Sequence, residues 1–319
     1  MSIDVDPAGP ALLIGAIAED WTGEARFHEY TRAANPVGRT TPLVPVERFG
    51  AALHASGPTR VIPLDQSAAL ATPVAGTATT PALAASFVRI LPGEHVRTEP
   101  VATSELYFVL RGTGVSVVDG SAVEWSTGDF LVLPGGCRST HHATGEAVLY
   151  WVTDEPLLRY LGAAPVTKRF RPTRFTAERC SAELAKVAAD PRATQRSRIS
   201  VLLANSAMTQ TLTASHVLWA MYGLLPAGQV QRPHRHQSVA VDLIVDCAPG
   251  CYTLVGRRLD GGGEIVDPVR VDWEAGGAFV TPPGLWHAHH NDSDADAYLV
   301  PVQDAGLHTY LRTLDIRFS

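Results

Sequence analysis

Two histidines, His234 and His236, stand two residues apart at the start of the stretch PHRHQSVAVDLIVD. If this stretch is extended, residues i and i+2 project from the same face, so both imidazoles point the same way. A third histidine, His287, follows a short apolar run and a PPG turn that an antiparallel barrel can bring beside the first pair. Imidazole nitrogens bind divalent transition metals, so the spacing indicates a metal site.

The two segments follow a specific pattern. Residues 228–236 read G-x5-H-x-H, and residues 276–291 read G-x5-P-x-G-x2-H-x3-N. This pattern resembles the two signature motifs of the cupin superfamily, whose members bind a divalent metal inside a double-stranded β-helix barrel. The resemblance implies that the metal ligands are His234, His236 and His287.

The usual fourth ligand of that superfamily is a glutamate four or five residues after the HxH pair. Here those positions are Ala240 and Val241, so the carboxylate is missing. Three facial histidines leave coordination positions open for water, substrate and O2. They also leave the dipositive charge of the metal uncompensated, which favours an anionic, bidentate substrate such as an enolate or a catecholate.

The stretches HRHQSVAVDLIVDC and PPGLWHAHHN resemble, more narrowly, the gentisate 1,2-dioxygenase group, which includes the salicylate and 1-hydroxy-2-naphthoate ring-cleaving enzymes. The resemblance implies a bicupin that binds Fe(II), a small-molecule substrate and O2. Imidazole ligands leave Mn, Ni, Zn and Cu open as alternatives. In the group the metal is usually in the first barrel, whereas here the pattern lies in the second half.

Asp242 is a second departure from the group, because it stands where those enzymes carry an arginine that binds the substrate carboxylate. By strand parity with His234 and His236 it faces inward, where an unpaired carboxylate is costly to bury. It would repel a carboxylate substrate, so gentisate and salicylate themselves are not expected. Three roles are open to Asp242: hydrogen-bonding a substrate hydroxyl or amine, acting as a general base, or pairing with a buried arginine, with or without a part in catalysis.

His289 is the second candidate for acid–base catalysis, since it shares the parity of His287 and should lie near the site. His290 has the opposite parity and is expected to be exposed. The tryptophans Trp273 and Trp286 are expected to pack in the barrel wall rather than to stack on substrate.

The first half of the chain repeats the second. Residues 91–114 match residues 225–250 with a two-residue gap, and residues 128–142 match residues 276–290 without one. A repeat of this size indicates two similar domains. The positions that correspond to the three histidines are Thr98, Pro100 and Ser139, so the first barrel is expected to bind no metal. A rearranged site that uses Glu105, His95 and His141 is the alternative.

Short β-rich runs bounded by Gly, Pro and Asp recur along the chain, which indicates a β-sandwich or a barrel. Together with the repeat, the resemblance to cupins implies an all-β fold of two cupin barrels with a short helical connection. The helix is expected after Thr176, a good N-cap, and before Asp190 and Pro191. The predicted division is an N-terminal extension packed on the barrels (1–60), a first barrel (61–163), a connecting segment (164–200) and a metal-binding barrel (201–319).

The composition excludes several classes of protein. The 319 residues carry a net charge of −6 and no cluster of Lys and Arg, so no nucleic-acid partner is expected. The first residues lack the features of a signal peptide, and no apolar run is long enough to span a membrane, so the protein is expected to be cytoplasmic. The four cysteines include Cys247 and Cys251, four residues apart, for which packed thiols are favoured over a disulfide.

Three functions remain open. The first is an Fe(II) dioxygenase that cleaves a C–C bond in a hydroxylated aromatic or an enolisable diketone. The second is a metal-dependent isomerase, lyase or hydrolase with Asp242 and His289 as acid and base, and the third is a binding protein without turnover. Because bicupins often pair, the resemblance also implies a homo-oligomer, either a dimer or a tetramer.

Overall fold

The computed structural model describes residues 20–192 and 198–319 of the chain. They form two compact units, residues 20–41 and the residues from 42 to 319. The small unit contains helix α1 (Tyr30–Ala33) and a single bridge between Val37 and Thr41. The carboxylate of Glu29 caps α1 by accepting hydrogen bonds from the first free N–H groups of the helix.

The larger unit holds the remaining helices and all the strands that the structure describes. The helices are α2 (Ala52–Ala55), α3 (Ser67–Leu70), α4 (Glu155–Leu161), α5 (Ala177–Ala188) and α6 (Ala305–Leu311). The strands up to α5 are β1 (Arg48–Phe49), β2 (Arg60–Pro63), β3 (Ala84–Ile90), β4 (His95–Thr98), β5 (Ser104–Arg111), β6 (Thr113–Val118), β7 (Ser121–Ser126), β8 (Phe130–Pro134), β9 (Ser139–Ala143), β10 (Ala147–Thr153) and β11 (Thr173–Phe175). Those after α5 are β12 (Ile199–Leu203), β13 (Trp219–Leu225), β14 (Val230–Arg235), β15 (Ala240–Asp246), β16 (Cys251–Gly256), β17 (Arg258–Leu259), β18 (Ile265–Val266), β19 (Val269–Asp272), β20 (Ala278–Thr281), β21 (Trp286–Asn291), β22 (Ala297–Gln303) and β23 (Arg317–Phe318).

The strands build two β-barrels, each from a pair of antiparallel sheets. The first barrel combines the sheet β11-β8-β5-β10-β3-β2 with the sheet β4-β9-β6-β7. The second combines β1-β20-β15-β22-β13-β12 with β19-β16-β21-β14-β23. The segments that repeat in the sequence occupy the same places, since β9 lies between β4 and β6 just as β21 lies between β14 and β16. The expected all-β fold of two barrels is confirmed.

The six-stranded sheets of the two barrels pack on each other through a shared apolar core. This core contains Phe87 and Phe108 of the first barrel and Val241 and Leu243 of the second. The alternate residues on the same strands line the barrel interiors, as Tyr107 and Val109 do on β5 and Ile244 does on β15. Asp242 therefore lies inside the second barrel, on the opposite face of β15 from the shared core.

The helix expected in the connecting segment is α5, and the hydroxyl of Thr176 caps it by accepting a hydrogen bond from the N–H of Arg179 at 3.3 Å. Just before it, β11 adds an edge strand to the first barrel. All four cysteines are free thiols. No helix among the described residues is long and apolar enough to cross a membrane.

Candidate metal centre

Three buried histidines converge inside the second barrel. His234 on β14 pairs directly with His287 on β21, which brings the centres of their rings to 4.0 Å. His236 follows the end of β14, and its ring centre lies 4.9 Å from that of His287. One ring nitrogen of each lies within 4.8 Å of the others. Within residues 20–192 and 198–319 this is the only cluster of three side chains that could hold a metal ion.

The PPG turn places His287 beside the pair. Gly284, the last residue of the turn, has φ of +74°, a left-handed conformation that glycine adopts without strain. Its N–H donates a 2.7 Å hydrogen bond to the carbonyl of His236. The turn is thereby fastened to the strand end that carries the HxH pair, and β21 starts two residues later.

Hydrogen bonds fix the tautomer of all three rings. The Nδ1 atoms of His234, His236 and His287 lie 3.1, 2.8 and 3.1 Å from the backbone carbonyls of Arg232, Ser238 and Leu285 respectively. A carbonyl can only accept, so each Nδ1 carries the proton and donates it. Each Nε2 therefore carries a lone pair rather than a proton, which is the state that a metal ligand needs.

The rings are also held neutral. Burial lowers the pKa of His236 to about 4, and it holds the pKa of His234 and His287 well below the usual value of 6.5. Three neutral nitrogen donors in a dry pocket fit a divalent transition metal. The positions where a glutamate ligand is missing are occupied by the buried side chains of Ala240 and Val241.

Arg198 brings a positive charge into the site from the residue just before β12. Its guanidinium donates to Nε2 of His289 at 3.1 Å and to the side-chain oxygen of Gln231 at 3.1 Å. The amide nitrogen of Gln231 then lies 3.4 Å from Nε2 of His234. Arg198 thus links His289, as well as one side of the histidine cluster, to the edge of the six-stranded sheet.

His289 is held on its other side by a hydroxyl. Because Arg198 can only donate, Nε2 of His289 must accept, and its Nδ1 proton goes to Oγ1 of Thr253 at 2.8 Å. The indole N–H of Trp273 donates to the same oxygen at 2.8 Å. Trp273 packs in the barrel interior as expected, and it also orients the group that supports His289.

Asp242 is buried in the barrel interior, as its strand parity predicts. The hydroxyl of Thr281 donates to one of its carboxylate oxygens at 2.6 Å. Burial raises the pKa of Asp242 to about 6, although the hydrogen bond from Thr281 and the charge of Arg198 oppose the rise. Arg198 and Asp242 act on each other electrostatically, so the inward carboxylate has a cationic counterpart.

His290 lies on the outer face of β21, where its ring stacks on Tyr252 with the centres 4.7 Å apart. It is half-buried rather than exposed, because the tyrosine and the neighbouring strand cover one side of the ring. Trp286 lies beneath the guanidinium of Arg235, whose central carbon is 5.2 Å from the ring centre. Neither side chain joins the histidine cluster.

The first barrel holds a chain of hydrogen bonds at the position of the metal cluster. The indole of Trp125 donates to Ser116, which contacts Nδ1 of His141 at 2.7 Å. This contact repeats the arrangement of Trp273, Thr253 and His289 in the second barrel. The two barrels therefore share a supporting indole, hydroxyl and imidazole.

On its other side, Nε2 of His141 lies 3.1 Å from the hydroxyl of Thr98, which contacts the Tyr107 hydroxyl at 2.8 Å. Tyr107 donates to Glu105 at 2.5 Å, and burial raises the pKa of Glu105 to about 7. His95 is exposed on β4, away from this chain, so Glu105, His95 and His141 do not come together. Ser139 lies in the first barrel at the place of His287.

Sequence reasoning did not identify Arg198, Gln231 or Thr253. Arg198 lies within the segment interpreted as a connection, and nothing local distinguishes it from the other arginines there. Thr253 corresponds to Ser116 in strand register, but the sequence repeat, which ends at Gly114 and Gly250, would pair Ser116 with Tyr252 and therefore does not reveal it.

Known proteins resemble the chain in fold and in part of its sequence. Residues 86–153 match the family described as "Cupin domain". The chain is 36% identical over 85 residues to a 5-aminosalicylate 1,2-dioxygenase of Comamonas, a match that covers 26% of this chain and 23% of that protein. It is 27% identical over 158 residues to a 1-hydroxy-2-naphthoate 1,2-dioxygenase of Nocardioides, covering 49% of this chain and 38% of the relative. The matched segments therefore span less than half of these curated relatives.

The crystal structure of a salicylate 1,2-dioxygenase from Pseudaminobacter salicylatoxidans has the same fold. It superposes with a TM-score of 0.70 at 15% sequence identity and covers 93% of this chain and 95% of the other. The chain thus has the two-barrel cupin fold of that enzyme, and its sequence resembles ring-cleaving dioxygenases of hydroxylated aromatics, as the motifs predict.

Proposed function

We propose that this protein is an Fe(II)-dependent dioxygenase that cleaves a C–C bond of a chelating, hydroxylated aromatic substrate in its second barrel. His234, His236 and His287 hold the metal. The observation that carries the proposal is the convergence of three Nε2 lone pairs, each freed by an Nδ1–H to carbonyl hydrogen bond. The relatives whose sequences align here are named as dioxygenases of such substrates, which supports the reaction class.

A bound Fe(II) ion supplies open coordination positions and the redox chemistry that O2 requires. The protein supplies a site without a carboxylate ligand. The charge of the metal is therefore balanced by a chelating substrate and not by a side chain of the protein. The buried walls exclude water, which strengthens each electrostatic contact inside the pocket.

Arg198 makes a carboxylate-bearing substrate compatible with the site, despite the inward charge of Asp242. A guanidinium presents several donors in one plane and suits a carboxylate. Two of its contacts, with Gln231 and His289, fix its position before substrate arrives. We assign to Arg198 the binding of an anionic group of the substrate.

Asp242 is the proposed polar partner of the substrate ring, and His289 supports the arginine that binds the anionic group. The carboxylate of Asp242 accepts a hydrogen bond from a ring hydroxyl or amine, which is one of the roles its parity left open. His289 presents its Nε2 lone pair toward Arg198 and holds that side chain in place. The substrate then needs an anionic group for Arg198 and a hydrogen-bond donor for Asp242. An aminohydroxybenzoate or a dihydroxybenzoate has both groups.

The test measures metal content and O2 uptake on the same preparations. Protein purified without added metal is assayed for iron, then for O2 uptake with salicylate, 5-aminosalicylate, gentisate, catechols, hydroxyquinols and β-diketones. We expect iron-dependent O2 consumption with at least one hydroxylated benzoate. Turnover that continues without O2 would establish the non-redox alternative instead, and O2-dependent turnover that another metal restores as well as iron would refute the assignment of Fe(II).

His287→Ala and His290→Ala form a matched pair for the ligand assignment. Both positions lie on β21, but only His287 belongs to the cluster. His287→Ala should lose the metal, whereas His290→Ala should retain it. Equal metal retention by the two variants would contradict the assignment.

A further inference from the structure

A cavity of about 490 Å³ lies at the junction of the two barrels, away from the histidine cluster. It forms where α4 of the first barrel and α6 of the second approach residues 207–217. Its volume lies in the range of pockets that bind small organic molecules. None of the metal-site side chains lines it.

The walls of this cavity are mostly apolar. Leucines of α4 line one side, Leu307 and Tyr310 of α6 line another, and Met208 and Val217 come from the segment between them. Leu161 and Tyr310 are more than half exposed at its mouth. An apolar body that enters here removes these side chains from water, which favours binding.

One end of the cavity carries an uncompensated positive charge. Arg169 lines it and forms no hydrogen bond or ion pair with any residue that the structure describes. His216 lies beside it, and burial, reinforced by the charge of Arg169, lowers the pKa of His216. His216 is therefore a neutral hydrogen-bonding group next to a free cation.

The acidic group of the cavity is already engaged. Asp154 accepts hydrogen bonds from the N–H and the hydroxyl of Thr103 at 2.8 and 2.6 Å, and from the N–H of Ser104 at 3.2 Å. These donors disperse its charge within the protein. Arg169, whose side chain is exposed, is thus the charged group of the cavity that keeps its donors for a ligand.

We propose that this cavity binds a small apolar monocarboxylate, with its carboxylate on Arg169 and His216 and its body against the leucines of α4 and α6. The site is separate from the metal centre, and no substrate turnover is involved. It makes this protein a binder of aromatic or aliphatic acids at a second place, between the barrels.

The experiment titrates 2-naphthoate, which lacks the hydroxyl needed to chelate a metal, into the full-length, metal-depleted protein and follows heat of binding. We expect saturable binding, with weaker binding of the uncharged 2-naphthamide. Removing the cation in Arg169→Met should weaken 2-naphthoate binding about tenfold or more, since a charged hydrogen bond is lost. Arg171→Met, a nearby exposed arginine that does not line the cavity, should bind as the unmodified protein does.

A second pair of variants tests the apolar wall. Leu161→Glu places a like charge at the mouth and should abolish binding, whereas Val166→Glu, fully outside the cavity, should not. His287→Ala should bind 2-naphthoate normally, because the metal centre is not used. No saturable binding, equal binding of the amide, or loss of binding in His287→Ala would overturn the proposal, and none of these results depends on dioxygenase activity.

Discussion

Replacing Asp242 with asparagine should change how the stability of the metal-depleted protein depends on pH. The folded protein raises the pKa of Asp242 from 3.8 to about 6, so its proton is held more tightly in the folded state than in the unfolded state. The stability that this proton contributes is fully present below pH 3.8 and is lost as the pH rises through about 6. The loss amounts to about 3 kcal/mol above that pH, because each pKa unit corresponds to roughly 1.4 kcal/mol.

Asparagine is neutral at every pH, so the unfolding free energy of Asp242→Asn does not fall as the pH rises through about 6. Relative to the unmodified protein, the variant should gain roughly 2 to 3 kcal/mol of unfolding free energy between about pH 4 and pH 7. A pH-independent offset is expected as well, because the amide of asparagine replaces a carboxyl group in the hydrogen bond with Thr281. The change with pH, rather than the offset, is therefore the diagnostic quantity.

Urea unfolding at several pH values measures this free energy. Asp246→Asn is the matched control, since Asp246 lies on the same strand but is exposed, and its charge is solvated in both states. The unfolding free energy of this control should change with pH in the same way as that of the unmodified protein. If Asp242→Asn also runs parallel to it, Asp242 does not carry a buried, destabilising charge and the reasoning is wrong.

Three further changes should separate substrate binding, metal binding and stability. Arg198→Met should raise the KM for an anionic substrate at least tenfold while metal content is retained, whereas Arg235→Met, over Trp286, should leave both unchanged. Ser238→Ala removes the hydroxyl that lies 3.0 Å from Nδ1 of His236 but keeps the backbone carbonyl to which this ring donates, so metal affinity in a chelator competition should stay within about tenfold of that of the unmodified protein. Thr253→Val leaves two buried N–H donors without their acceptor and should lower the unfolding free energy by about 2 to 4 kcal/mol in urea titrations.

The sequence by itself determined where the histidine cluster lies and which residues form it. His234 and His236 project from one strand because side chains two residues apart share a face. The PPG turn and its spacing to His287 are local features of the sequence. The structure forms this turn as expected, with β21 and His287 directly after it. The repeat, the two barrels and the capped helix after Thr176 were predictable for the same reason, since turns, caps and strand periodicity depend on neighbouring residues.

Strand parity also placed Asp242 inside the barrel, but it could not say what would balance the charge. The cation that faces it is Arg198, which lies 44 residues earlier in the chain, just before the edge strand β12. Such a contact depends on how sheets close into a barrel, and no local pattern encodes it. The expectation that carboxylate substrates are disfavoured rested on Asp242 alone, and the position of Arg198 alters that charge balance.

The supporting groups and the second cavity were decided by tertiary structure for the same reason. Thr253 can hold His289 only because β16 and β21 are neighbours in register, and Leu307 of α6 meets the leucines of α4 only because the barrels pack through their large sheets. A sequence specifies which face each side chain takes along its own strand. The apolar surfaces of the two barrels are buried against each other, and this packing decides which distant faces meet and which charged groups lie close together.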